Sequence, residues 1–551
     1  MAVDMILTNG VVHVADAAGT RCEAVALAAG RILATGTSDA VAGLAGPGTR
    51  IIDLGGRLVL PGFIDAHMHA SSAAEELTDL ALGGLKSMNA CLDAVATFAR
   101  EHPELPAIRG FGWSDALMPP GGPLASDLDA LVPDRPVALH DDSYHSMWAN
   151  TRALRLAGID TGTPDPPSGV IERLADGTPS GTLREGPAAL VARAMPAPSL
   201  EDARAGILHF QRTVAAPFGL TTVQDAVLEV GRDAALEAYE VLQAEGSLTT
   251  RYCLSLWIRE DAPVEEQVRA AVEERARHTG PLVTAVWAKL FADGIVEGHT
   301  AVLKEPYADR PGFCGDPMWP AGGLEAASVA AAKAGFRLHY HAIGDGAVAL
   351  CLDAVEAAAR ATGGRVERPL ITHMQLLDLA DLPRFAELGV VAVPQPYWFQ
   401  KDELYRQRQV PYLGRERADR EYPMRSFWDH GIVAASASDY PVPPPPDPLQ
   451  AIQRGVMRRD PADATQEGPL WPEESVTVTQ MVRSWTAHGA YALGIEDETG
   501  TVEAGKAADL IVLDRDILAV PPEEIADASV ELTLFAGRPV HAAGPFEGLA
   551  G

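Results

Sequence analysis

Between about residue 58 and residue 438 the chain alternates short apolar segments that end in polar residues with alanine-rich segments of helical spacing. Few folds accept that alternation. Candidate strands cover residues 58–69, 219–225, 251–256, 283–291, 336–341, 370–373, 390–394 and 432–438, and helical spacing fills 325–333, 347–359 and 382–388. Eight strands alternating with helices is the sequence form of a (β/α)8 TIM barrel of the α/β class. A doubly wound open sheet is the rival, but no Gly-x-Gly-x-x-Gly follows a first strand. Residues 70–218 separate the first two strands, too long a stretch for a structureless loop, so an inserted subdomain is expected there. Both ends of the chain read as short strands, at 5–14, 24–28 and 31–35 and again at 508–514 and 530–535. Neither end can bury a face alone. The expectation is a composite β-sandwich domain from residues 1–60 and 490–551 around a barrel at 61–489.

A (β/α)8 barrel carries its active site at the C-terminal ends of its strands, so the polar residues there are the ones to inspect. Strand one ends in His67-Met68-His69, and residues i and i+2 of a strand share a face. Strand four offers Lys289, strand five His341 (with His339 two residues before), strand six His373 and strand eight Asp439. Imidazole and carboxylate suit Zn2+, Mn2+ or Fe2+. Singly, each has a plain structural explanation: a histidine can bond a backbone carbonyl, and Asp439 can end a strand in a turn. Several strands offering candidates at one end point instead to a metal centre. Lys289 leaves two alternatives open. An ammonium cannot ligate a cation, so it either pairs with Asp293 or is carboxylated by CO2 to a carbamate that can bridge two metals.

Pro61-Gly62-Phe63-Ile64-Asp65-Ala66-His67-Met68-His69 resembles the opening signature of the amidohydrolase superfamily. Gly219-Leu220-Thr221-Thr222-Val223-Gln224-Asp225-Ala226, Lys289-Leu290-Phe291-Ala292-Asp293-Gly294, His341-Ala342-Ile343-Gly344-Asp345 and the closing Gly505-Lys506-Ala507-Ala508-Asp509-Leu510 are more specific. As a set they resemble the YtcJ-like branch (amidohydrolase family 3) that includes N-substituted formamide deformylase, over nearly the whole chain. The resemblance implies a barrel with a composite β-sandwich and a binuclear centre. Its ligands would be His67, His69, Lys289 (carboxylated), His341, His373 and Asp439. His67, His69 and Asp439 would hold the more buried ion and His341 and His373 the more exposed one, with the carbamate between. The chain departs from the family pattern at Glu297-Gly298-His299 and Tyr397-Trp398, which puts the substrate in question and not the metal set.

The function expected on this basis is hydrolysis of a carbon–nitrogen bond by water activated at one or two divalent ions, zinc first. Asp439 is the expected general base, passing the proton on to the leaving amine. His145 or His341 would help stabilise the oxyanion. Trp113, His145, Tyr397, Trp398 and Tyr440 are the expected substrate contacts, lining an apolar pocket that suits a linear N-substituted amide with an apolar group. The alternatives are a cyclic amide, carbamate or ester, and a non-hydrolytic isomerase, decarboxylase or binder on the same scaffold. Lys and Arg number 44 against 75 Asp and Glu, a net charge of −31 that argues against nucleic-acid and anionic-membrane partners. The partner is expected to be a small molecule, with a homodimer as the candidate assembly. No run of apolar residues is long enough to span a membrane, and with no basic segment and apolar stretch after Met1-Ala2-Val3-Asp4 no secretory signal is expected. Five scattered cysteines read as reduced thiols of a cytoplasmic protein.

Overall fold

Strands buried on both faces read as nearly continuous apolar runs, and seven such segments, broken by a few buried polar residues, build the centre of the protein. The structure is a computed structural model that describes residues 2–166, 169–229, 233–442 and 445–549. The strands are β1 (Phe63–Met68), β2 (Leu220–Glu229), β3 (Arg251–Trp257), β4 (Val283–Phe291), β5 (Arg337–Ala342), β6 (Leu370–His373) and β7 (Val391–Val393). They pair in chain order, all parallel, into a nearly closed barrel sheet. The eighth strand expected at 432–438 is instead an irregular run that bonds to both edges. Ala435 and Ala437 donate N–H to the carbonyls of Ala392 and Pro394, while Ala66 donates to Ser436 and Asp439 to His67. It is irregular because two of its amides leave the ladder: Ser436 donates to Ser484 O, and Ser438 to the carboxylate of Asp65.

Helices cover the outside of the sheet. The helix Asp345–Thr362 buries Ala347, Val348, Cys351, Leu352, Ala354, Val355 and Ala358, one face at spacings of three and four, and stops at Gly363 in the left-handed region. Among the described residues no helix is long and apolar enough to cross a membrane, and no cysteine is in a disulfide.

The strand expected at 58–69 divides at Gly62, where a Cβ would lie 2.3 Å from the Thr221 side chain. Its first half, Leu58–Pro61, leaves the barrel. It pairs antiparallel with Leu510–Leu513 and parallel with Val11–His13, in a six-stranded sheet that draws on both ends of the chain. A four-stranded sheet of N-terminal strands faces it across one hydrophobic cluster that includes Leu7, Val25 and Leu27 on one side and Val59, Leu510 and Leu532 on the other. A buried ion pair ties this unit to the barrel: Arg251 Nη1 lies 2.7 Å from Asp509 Oδ2, with the guanidinium stacked on Phe535. Removing one partner of such a pair strands the other charge, at a cost of about 3–5 kcal/mol. An Asp509→Ala variant is therefore expected to melt well below the parent in differential scanning calorimetry. Equal midpoints would show that the pair does not anchor the terminal sheets.

Between β1 and β2 the chain builds a separate six-stranded sheet from Leu80–Ala81, Ile108–Trp113, Val137–Asp141, Ser146–Ala149, Pro179–Arg184 and Val170–Arg173, in that spatial order. The helix α1 (Gly186–Ala194) follows directly from the strand Pro179–Arg184 and lies over the mouth of the barrel.

Candidate metal centre

Because β1 projects residues i and i+2 to one side, His67 and His69 point the same way, and each brings Nε2 to 3.2 Å from Asp439 Oδ1. Donor atoms of His67, His373 and Asp439 lie within 4.8 Å of one another. His341, at the end of β5, stands with its ring centroid 4.5 Å from that of His373. These five residues and Lys289 all line one cavity of about 710 Å³.

The hydrogen bonds around the rings decide which nitrogens are bare. His69 Nδ1 faces Ala226 O at 3.2 Å, and a carbonyl can only accept. Nδ1 is therefore the nitrogen that donates to the protein, and Nε2 is the one turned toward Asp439. His373 Nδ1 faces Gln395 Oε1 at 3.0 Å, an amide oriented by its own bond to Val393 O. His341 Nε2 faces Gly294 O at 3.2 Å. His373 and His341 thus each give one N–H to the protein and present the other nitrogen unprotonated, the arrangement second partners impose on metal-binding histidines. Burial holds His67 and His341 well below the usual imidazole range and His373 at about 3, with neighbouring Lys289 and the other rings adding to it. Burial works against the charge on Asp439, but His67 and His69 keep its carboxyl well below the usual range. Imidazole nitrogens and a carboxylate oxygen converging within 4.8 Å of one another in a dry hollow are the donor types and the spacing that a divalent ion takes. The donor set therefore fits a divalent ion.

Lys289 is fully buried, its Nζ has no hydrogen-bond partner, and it lies 5.0 Å from the Phe291 ring centroid. Burial pulls the amine down to about 7, although Asp439 opposes this. The ion pair with Asp293 does not form. Asp293 spends its carboxylate on the N–H groups of Val302, Ile343 and Gly344, locking the ends of β4 and β5 together.

His145 reaches the same cavity from the insertion, with its ring centroid 5.3 Å from that of His341. Its Nδ1 is 2.8 Å from Glu185 Oε2. Burial disfavours the imidazolium, but the Glu185 carboxylate outweighs it and raises His145 to about 9. The other expected substrate contacts are placed differently. Trp113 is in the core of the insertion, its Nε1–H given to Leu139 O. Tyr397 packs on Trp485 inside the barrel wall. Tyr440 directs its hydroxyl to Glu76 at a smaller pocket, while the preceding Asp439, at φ 62°, turns its carboxylate to the cavity. Trp398 stands 6.0 Å from His373, ring to ring, but outside the cavity lining. The apolar wall comes instead from Ala188, Leu190 and Met195 at α1 with Trp257, Phe291 and Met318. Arginines on the lining are engaged: Arg109 with Asp79 at 2.9 Å and Arg193 with Asp261 at 2.8 Å.

Two further features went unassigned in the sequence. His339, buried two residues before His341, sets its Nε2 2.8 Å from His67 Nδ1 and its Nδ1 2.8 Å from Ser255 Oγ, so it orients the His67 ring. The strand alternation could have shown it. Backbone strain could not have been seen: Tyr144, Glu185, Val227, His373 and Asp439 all have positive φ and all line the cavity. Each such residue costs about 1–3 kcal/mol, and such strain concentrates at functional sites.

The chain is similar to known proteins over most of its length. The Amidohydrolase family profile matches residues 50–541. YtcJ of Bacillus subtilis (strain 168) is 31% identical over 531 residues, 95% of this chain and 96% of its own. N-substituted formamide deformylase of Arthrobacter pascens is 29% identical over 549 residues, 97% of each chain. A crystal structure of an uncharacterized metal-dependent hydrolase from Pyrococcus furiosus superposes with a TM-score of 0.71 at 26% identity, covering 93% of this chain and 99% of that one.

Proposed function

The chain belongs to the amidohydrolase family and is a metal-dependent hydrolase, and on that premise we propose that it cleaves the carbon–nitrogen bond of a linear N-substituted amide carrying an apolar group. The observation that carries this reading is the adjacency of the bare-nitrogen cluster to the apolar wall of α1, in a cavity whose arginines are already paired. A carboxylate entering there finds no free guanidinium, while an alkyl or aryl substituent finds surface to bury. The name of the deformylase relative points to the same bond.

His67, His69 and Asp439 would hold one ion and His341 and His373 a second, with Lys289 as a carbamate shared between them; zinc is our first assignment, with Mn2+ or Fe2+ as alternatives. Divalent ions held there would lower the pKa of water and polarise the substrate carbonyl. Asp439 takes the proton of the attacking water, a role suited to a carboxylate that stays ionised in a dry site. His145, charged and facing the cavity, donates its remaining N–H to the carbonyl oxygen as that oxygen gains negative charge, beside His341.

The test is a panel of N-formyl and N-acyl amines with alkyl or aryl substituents, N-acyl amino acids as charged counterparts, and lactams as cyclic controls. Neutral apolar amides are expected to exceed their carboxylate counterparts by about 10²-fold in kcat/KM, since burying an unpaired carboxylate costs several kcal/mol. Activity should vanish on chelation and return with Zn2+ or Mn2+. A preference for lactams or for N-acyl amino acids would overturn the substrate assignment.

A further inference from the structure

His145 reaches the barrel only because the insertion is held against it, and one residue outside the metal set makes that contact. In the antiparallel ladder between Ser146–Ala149 and Pro179–Arg184, Ser146 lies opposite Arg184, so the next residues outward are His145 and Glu185. Their main chains continue the pairing, with Glu185 N–H donating to His145 O at 2.8 Å. There the strand turns abruptly into α1, and Glu185 takes φ 55° and ψ −121°, a left-handed backbone that a residue with a side chain rarely adopts. Glycine would occupy this turn without strain but would bring no carboxylate.

Both oxygens of that carboxylate are used. Glu185 Oε2 receives His145 Nδ1–H at 2.8 Å, and Oε1 receives the Thr300 hydroxyl at 2.6 Å. Thr300 belongs to the loop after β4, where its Oγ1 also accepts Ile295 N–H. The same loop is hollowed to admit the carboxylate: a Cβ on Gly294 would stand 2.1 Å from Glu185 Oε1 and 2.2 Å from Thr300 Oγ1. Gly294 is also the residue whose carbonyl receives His341 Nε2–H. The backbone strain, the doubly bonded carboxylate and the socket across the barrel loop are separate observations on one side chain.

We propose that Glu185, seated by Thr300 in this socket, is a positioning residue that fixes the ring of His145 with its Nε2 edge turned to the cavity beside His341, where the reacting carbonyl would lie. It rests on the amide-hydrolase reading above. The Glu185 carboxylate is bonded to His145 and Thr300 and is not one of the proposed metal ligands.

The experiment pairs kinetics with a measurement that needs no substrate. Glu185→Gln keeps the shape but cannot hold the ring as a carboxylate does. It is expected to lower kcat on an N-formyl alkylamine by about 10²-fold, the scale of losing one aligned donor to an oxyanion, with KM and metal content unchanged. Thr300→Val should reproduce part of the loss, and Thr300→Ser should restore it. In the proton NMR spectrum of the metal-loaded wild-type protein, a strongly downfield imidazole N–H resonance is expected, absent from His145→Gln and lost or shifted in Glu185→Gln. A loss confined to KM, an unchanged kcat, or a wild-type spectrum without that resonance would overturn the proposal. If no amide is hydrolysed by the wild-type protein, the functional reading fails while the resonance still decides whether Glu185 holds His145.

Discussion

Replacing Asp439 by Asn is expected to lower kcat by about 10³-fold or more in a protein that remains folded, since a positioned base contributes about 10²–10⁴-fold and this one is also a proposed ligand. The fold should survive because Asp439 sits at φ 62°, a left-handed conformation that Asn tolerates nearly as well as Asp. The backbone bond from Asp439 N–H to His67 O does not involve the side chain and is kept. What disappears is the charge. A carboxylate 3.2 Å from two imidazole nitrogens both attracts a cation and accepts a proton, whereas an amide oxygen does the first weakly and the second not at all. Metal analysis by plasma mass spectrometry, together with turnover on the best amide of the panel, separates the two losses. Full metal content with kcat down identifies the base; reduced metal content shows the ligand. Unchanged turnover would remove Asp439 from the mechanism.

The regular part of the architecture was legible because burial on both faces forces continuous apolar runs. The run at 283–291 is β4 to the residue, and 370–373 is β6. The eighth strand was not, because its irregularity comes from where Ser436 and Ser438 send their amides, to partners far away in sequence. The placement of the six proposed ligands around one cavity was legible because each lies near the C-terminal end of a barrel strand or, for Asp439, of the irregular run in the eighth position, where topology alone brings residues together. Side chains around that ring were harder. Trp113 and Tyr440 are aromatic residues near the right level, but the direction each side chain takes depends on local alternation and turns that composition does not record. Glu185 was invisible for a stronger reason. Nothing in Leu183-Arg184-Glu185-Gly186-Pro187 announces a left-handed backbone, and the hydroxyl that seats its carboxylate is 115 residues away.

Lys289→Met is expected to act in opposite directions on stability and on metal binding, and that divergence makes it informative. A fully buried amine with no hydrogen-bond partner, pressed against an aromatic ring, is a liability to the folded chain, costing about 1–3 kcal/mol as an unsatisfied polar group. Asp293 cannot relieve it, since its carboxylate is committed to three backbone N–H groups. Methionine has nearly the same length and no polar atom, so the metal-free variant is expected to melt at or above the metal-free parent. If the lysine served only as packing, nothing else would change. A carbamate would change the account: the buried amine, brought to about 7 and so partly present as the free base, would add CO2, release a proton and offer two anionic oxygens to ions held there. Its loss should then lower bound metal by about one equivalent or more and turnover by about 10³-fold, on the scale of losing an electrostatic group at a water-excluded site. Added bicarbonate should raise metal uptake by the metal-free parent and leave the variant unaffected. A Lys289→Met protein that is more stable when metal-free, yet binds metal and turns over like the parent, would show that the carbamate is not formed and that the centre is held by His67, His69, His341, His373 and Asp439 alone.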